Sequence, residues 1–533
     1  MKSALFIFSI LIGVSASAQT LLMGFERVPV VSGISSPTVM AFAPDSRIFV
    51  AQQNGALRVV KNGALLTTPF ITLSSVSSLG ERGLIGVALD PEFSTNGYVY
   101  LYYTTNVAPI HNRIVRYTAN GDVALAGSEQ PILELDNLSG ATNHNGGALA
   151  FGLDGKLYVA VGDNANNAHP QNLDTYHGKL LRINKDGSAP TDNPFYSEAA
   201  SQQRKRVWSY GLRNPYTFSI QPVTGRIFVN DVGQSSAEEI NDATTGGKNF
   251  GWPDAEGNST NAAYANPVYA YLHSGPQPTG CAITGGTFFN PQATTYPATY
   301  VGKYFFQDFC SPHWIYSLDL SATPTATLFG SNVGNSSVAI TTGPDGNLYY
   351  LSRGAGTLYK IIYNTPAAPV ITEQPQPATV SSGTSVSFSV SASGTQPFSY
   401  QWIKDDVAIN LANASTYAIA SVQPADAGLY WVRVSNSAGE VYSNTAELTV
   451  ETVVGVEDRN SDFYPNPARD WIYLSQSVAA VEMRDYVGRA SYVPLEQFNQ
   501  QTRLDVQHLA NGLYFLSYEW QGIRYVKKVL ISR

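Results

Sequence analysis

The chain has 533 residues, of which 44% are hydrophobic and only 14% charged, with 45 Gly, 30 Pro and 32 Tyr. So little charge beside so many turn formers and aromatics points to a β-rich protein of several domains, and excludes a coiled coil, a long-helix protein and a disordered chain. The formal charge of -8 provides no basic face of the kind nucleic acid requires, so no nucleic-acid partner is expected.

Lys2 precedes an apolar run from Ala4 to Val14, which closes on Ala16-Ser17-Ala18. A positive start, a short greasy core and small residues before Gln19 predict a secretory signal peptide over residues 1–18, cleaved after Ala18. That run is too short to span a bilayer, and no later stretch is long and apolar enough, so no transmembrane segment is expected. In an exported chain the two cysteines, Cys281 and Cys310, predict a disulfide.

Six segments then share one unit, a turn with Asp or Gly followed by alternating apolar and aromatic residues. They are PDSRIFVAQ from Pro44, STNGYVYLYY from Ser94, LDGKLYVAVGD from Leu153, VTGRIFVNDVG from Val223, YVGKYFFQDFC from Tyr300 and PDGNLYYLSRG from Pro344. The turn residue supplies a positive φ and the run has the period of a strand. Six copies over residues 19–363 predict an all-β fold, a six-bladed β-propeller. A β-sandwich with frequent hairpins is the alternative, but nothing in a sandwich calls for one unit six times.

A proline-rich stretch, Tyr363–Pro377, predicts an extended linker. Beyond it come VSFSV at Val386–Val390, Trp402, and DAGLYWV at Asp426–Val432. A core Trp followed by an Asp-x-Gly-x-Tyr corner resembles the immunoglobulin fold over residues 367–451. Val390 and Val432 stand where a disulfide is usual there, and an apolar pair can fill that space. The last stretch, 458–533, carries FYPNPARDWIYL at Phe463–Leu474, RDYVGRA at Arg484–Ala490 and LDVQHLANGLYFL at Leu504–Leu516. Its turns alone predict a small β-sandwich. The ordered motifs resemble the C-terminal sorting domain of the type IX secretion system. That resemblance implies export through the periplasm by that machinery, to a secreted or cell-surface location.

Four clusters lie in loops beside the repeats, where a propeller builds its sites. They are Gly80–Phe93, Asn143–Asn167, Tyr176–Phe195 with Val207–Ile220, and Asn230–Pro253. Their order and wording resemble the glucose/sorbosone dehydrogenase family, whose soluble glucose dehydrogenase uses pyrroloquinoline quinone and calcium. The resemblance implies a quinoprotein oxidoreductase acting on an aldose or related polyol, with an external electron acceptor. Read as residues, His144 has the side chain best suited to take a hydroxyl proton near neutral pH, and Asp163 one suited to orient it. A loop histidine bonded to backbone is the plainer alternative.

By resemblance His144 is the base, Asp163 its partner and Arg213 the group that polarises the quinone carbonyl. Glu81, His144, Arg213 and Asn214 contact the cofactor. The backbone carbonyls of Gly233 and Gln234 match ligands of its calcium, and Glu239 matches a ligand of a second calcium. A structural Arg between blades and a solvated acidic loop are the competing readings of Arg213 and Glu239. Two departures stand out. Glu81 puts a carboxylate beside an anionic cofactor. The run Ser331–Gly346 has no basic residue where the soluble enzyme grips the cofactor with Lys and Arg; Lys303 and Arg353 are nearby in sequence. Both departures favour the alternative, a non-catalytic surface propeller that binds glycan or protein.

Overall fold

The structure, a computed structural model, describes residues 20–451 and 463–533. The expected signal peptide lies outside the described residues. The chain divides into two compact units, one running to Thr365 and the other Pro366–Arg533.

The first unit holds six antiparallel sheets in chain order. Their innermost strands are Pro37–Phe42, Leu84–Leu89, Leu149–Phe151, Pro215–Ile220, Ile283–Phe288 and Ser337–Thr342. Each touches the next, and the last touches the first, so the sheets close a ring as the blades of a propeller. Phe25–Ser32 pairs with Thr357–Tyr363, so the start of the unit completes the last sheet. This pairing ties the ends together and leaves no open seam between first and last blades.

The six repeated segments are the second strands of the six sheets: Ile48–Gln52, Tyr98–Thr104, Leu157–Val161, Ile227–Asp231, Tyr304–Asp308 and Leu348–Ser352. The turn residue ahead of each has positive φ: Ser46, Gly97, Gly155, Gly225, Gly302 and Gly346. In the first copy the residue is thus a serine, not the expected Asp or Gly. Five of the six strands are buried at every position. A second strand has neighbours in its own sheet and a blade against each face, so it is buried along its length rather than at the alternate positions expected, with buried polar residues at the ends of several, such as Asp231 and Asp308. Phe49, Tyr100, Phe228, Tyr304 and Tyr350 are fully buried here, and burying such a side chain is worth about 1.5–3 kcal/mol.

Antiparallel order also decides where the loops fall. The segments entering each innermost strand and those leaving each second strand emerge at the same end of the ring. Glu81, His144 and Arg213-Asn214 lie in entering segments, while Asp163 and Gly233-Gln234 lie in leaving segments. Residues far apart in sequence are thereby delivered to one end. Cys281 and Cys310 form the expected disulfide, with Cα atoms 5.8 Å apart.

In the second unit, Ser399–Lys404 and Gly428–Asn436 pair within a six-stranded sheet. Trp402, Tyr430, Val390 and Val432 are all buried, and the Tyr430 hydroxyl donates to the Asp426 carbonyl at 2.7 Å. That is the tyrosine corner of an immunoglobulin-like domain. The final segment has two four-stranded sheets over a core that includes Ile472, Leu474, Met483, Leu504, Leu516 and Val529. Among the described residues no helix is long and apolar enough to cross a membrane.

Candidate active site

His144 adopts φ 57, a left-handed conformation that non-glycine residues seldom take. Two contacts hold it there. Its N–H donates to Glu81 Oε2 at 2.8 Å, and its carbonyl accepts from Asn164 N at 3.2 Å. A Cβ at residue 162 would collide with that carbonyl, so Gly162 is needed for the chain to pass. The twist aims the ring at Asp163, where Nδ1 meets Oδ1 at 2.7 Å. Asp163 is fully buried. It also accepts from Ala165 N at 2.7 Å and from Trp252 Nε1 at 2.9 Å. A carboxylate fixed by three donors holds the imidazole proton on Nδ1 and leaves the Nε2 lone pair free to act.

Arg213 and Asn214 join the same network. The Arg213 carbonyl accepts from Asp163 N at 2.8 Å, and its guanidinium lies 5.6 Å from the Trp252 ring centre. Asn214 Nδ2 donates to Glu81 Oε2 at 3.1 Å, and its Oδ1 accepts from Gly146 N at 3.1 Å. The amides of Arg213 and Asn214 both donate to Asp231, at 2.9 and 2.7 Å. Burial, with Glu239 across the strand pair, holds the Asp231 carboxyl well above the usual carboxylate range. The structure therefore brings Glu81, His144, Asp163, Arg213 and Asn214 into one cluster. Gly233 adjoins it, because Arg213 Nη1 donates to the carbonyls of Val232 and Gly233 at 2.9 and 2.7 Å.

Gln234 and Glu239 lie one step further out. The Gln234 amide donates to Glu256 Oε1 at 2.7 Å, one of four successive amides that converge on that oxygen. Glu239 accepts from Gly257 N and from Asn241 Nδ2. Burial, with Glu256 and Glu238 close by, pushes its carboxyl up to about 7 from an ordinary 4.5. Between those values the folded chain holds a proton that the unfolded chain has released. Stability therefore falls as pH rises through that window, by about 3 kcal/mol in all. Glu239→Gln is expected to remove that fall. The urea midpoint of the propeller at pH 8 should rise, and the midpoint at pH 4.5 should stay in place.

Several residues in this region were not singled out from sequence. Trp252 comes from the segment after the fourth sheet's third strand and reaches back to Asp163. Lys179 is fully buried and donates to the carbonyls of His169, Pro170 and His177 at 2.9, 3.0 and 2.7 Å. Burial pushes its ammonium down to about 7, against the pull of Asp136 and Asp163. His169 Nδ1 sits 2.9 Å from the Asp163 carbonyl, so Lys179 anchors the loop that begins at Asp163. Of the two basic residues near in sequence, Lys303 pairs with Asp319. Arg353 donates to Gln53, whose Nε2 donates to the carbonyls of Gly80 and Arg82 on either side of Glu81. The signal for Gln53 and Lys179 was weak, since both sit at the ends of ordinary strand runs.

The donor set suits some expected groups better than others. Arg213 Nε is buried without a hydrogen-bond partner, a donor that fits a quinone carbonyl. The Gly233 carbonyl accepts from Arg213 and keeps a second lone pair, which a cation could use. Glu239, buried and pushed toward neutrality, would gain from a cation. Among the described residues, however, the group of three metal-capable side chains is Cys281, Asp308 and Cys310, whose sulfurs are bonded to each other.

The propeller is similar to several known proteins. The aldose sugar dehydrogenase YliI of Escherichia coli is 28% identical over 62% of this chain and 90% of its own length. Quinoprotein glucose dehydrogenase B of Acinetobacter calcoaceticus is 29% identical over 46% of this chain, which spans only 56% of that relative. The apo soluble aldose sugar dehydrogenase of Escherichia coli superposes with TM-score 0.57 and 26% identity, covering 64% of this chain and all of that one. Family models match an immunoglobulin I-set domain at residues 369–450 and a secretion system C-terminal sorting domain at 462–532. The glucose/sorbosone dehydrogenase model matches residues 34–360, most of the propeller and more than half of the chain, and the chain belongs to that family.

Proposed function

We propose that this chain oxidises an aldose or related polyol in an exported, quinone-dependent reaction. Pyrroloquinoline quinone, when bound, supplies the acceptor for the substrate hydride, and an external acceptor takes the electrons onward. Arg213 and Asn214 would hold it, Arg213 through its unpartnered Nε. His144 Nε2 takes the proton of the sugar hydroxyl, and Asp163 stabilises the imidazolium that results. The observation that carries this reading is the 2.7 Å contact between His144 Nδ1 and Asp163, within a carboxylate saturated by Ala165 and Trp252. The sorting domain supports export by the type IX machinery to the medium or the cell surface. The test is reconstitution of the full chain with the quinone and Ca²⁺, followed by dye reduction on a panel of aldoses and polyols. No turnover and no shift in quinone absorbance would sink the proposal.

A second reading, a surface propeller that binds glycan or protein without turnover, is favoured by Glu81. Its carboxylate sits beside Asn214, where an anionic cofactor would meet like charge. Glu81→Gln is expected to tighten quinone binding severalfold, read by fluorescence titration. Equal affinity in both forms would remove Glu81 as an obstacle. Glycan-array binding that survives His144→Ala, in a parent without turnover, supports the second reading.

A further inference from the structure

Five successive amides after the fourth sheet's second strand are all turned onto carboxylates. The Gly233 amide donates to Glu238 Oε2 at 3.4 Å. Those of Gln234, Ser235, Ser236 and Ala237 donate to Glu256 Oε1, at 2.7, 2.9, 2.9 and 3.2 Å. Successive amides cupped around one oxygen form a nest, which suits an anion. The turn leaves no room for a side chain at residue 233, where a Cβ would sit 1.9 Å from the Ala237 carbonyl and 2.7 Å from Glu256 Oε1. Burial pushes the Glu256 carboxyl up, but the amides outweigh it and hold the group below the ordinary 4.5. Gln234, Ser235 and Ser236 are exposed, so these bonds rather than packing fix the stretch.

Peptide geometry carries the consequence to Arg213. In a trans unit the N–H and the C=O point in opposite directions, and the units on either side of Gly233 are trans. An amide turned onto a carboxylate therefore turns the preceding carbonyl away from it. The amides of Gly233 and Gln234 send the carbonyls of Val232 and Gly233 outward, and both accept from Arg213 Nη1, at 2.9 and 2.7 Å. The segment that supplies Glu256 also supplies Trp252, whose ring centre lies 5.6 Å from the same guanidinium. We propose that Glu256 is a positioning residue, which draws the loop amides onto one oxygen, turns the Gly233 carbonyl onto Arg213 and so sets the guanidinium for the quinone. Its effect reaches the quinone only through Arg213. The proposal rests on the reading of Arg213 as a group that holds the quinone, and one of its two readouts needs no quinone.

The test measures quinone affinity of the full chain with Ca²⁺ by fluorescence titration. It also measures the rate at which phenylglyoxal labels Arg213 in the quinone-free chain, mapped by mass spectrometry. Glu256→Ala is expected to weaken the quinone at least tenfold in the parent and less than threefold in an Arg213→Lys background, since residues acting through one contact are not additive. Glu256→Gln keeps an acceptor oxygen in the nest and should stay within threefold of the parent. Labelling of Arg213 should speed up at least fivefold in Glu256→Ala, while that of buried Arg82 holds and shows the fold intact. Should Glu256→Ala fail to fold, Glu256→Asp, which withdraws the oxygen by one methylene, decides on the same readouts. A parent that binds no quinone sinks the reading of Arg213, and the labelling rate then decides about Glu256. Unchanged labelling of Arg213, or equal loss of affinity in both backgrounds, would overturn the proposal.

Discussion

Replacing His144 by asparagine is expected to lower kcat for sugar-dependent dye reduction by about 10²–10⁴-fold, the usual worth of a positioned general base. Asparagine is the informative substitution because it tolerates the left-handed backbone at this position. It keeps the N–H that donates to Glu81. Binding of the quinone and the melting temperature should therefore hold while turnover collapses. The measurement is a steady-state comparison at saturating sugar, with cofactor loading checked by absorbance. Turnover within threefold of the parent would remove His144 as the base, and with it the reading of Asp163 as its partner.

The second large effect is on stability. Lys179→Met is expected to cost the propeller about 1–3 kcal/mol, because the buried His177 carbonyl loses its donor, while those of His169 and Pro170 keep the amides of Asn172 and Gly211. All three carbonyls lie on the loop that starts at Asp163. Calorimetry of the full chain should show the propeller transition shifted down by several degrees, with the immunoglobulin-like transition in place. Turnover should fall with it, as Asp163 loses its support. An unchanged transition would mean that water replaces the ammonium without loss.

Much of the fold was legible in the residues. The six repeats marked one strand per blade because a buried strand carries apolar residues in a row and the tight turn before it needs a residue that accepts positive φ; that they are the second strands came from the structure. Trp402 and Tyr430 were legible through their order, a core Trp followed by an Asp-x-Gly-x-Tyr corner. The site was legible only in part. His144 and Asp163 stood out through their wording within a family pattern, not through spacing. Glu81 was expected at a cofactor, and it is also the acceptor that holds the backbone of His144 and the amide of Asn214. The Gly233 carbonyl was expected at calcium, and the hydrogen bond it accepts from Arg213 was not legible.

By itself the amino-acid order determined a β-rich chain, the strand that each repeat forms and the side chains able to move a proton. These follow from local sterics and from which groups can leave water. Which of them meet was decided by strand pairing within a sheet and by the packing of one sheet on the next. Asp231 holds the segment ahead of its own sheet's first strand, Trp252 reaches Asp163 from another sheet, and a hydrogen bond depends on distance in space rather than on separation along the chain.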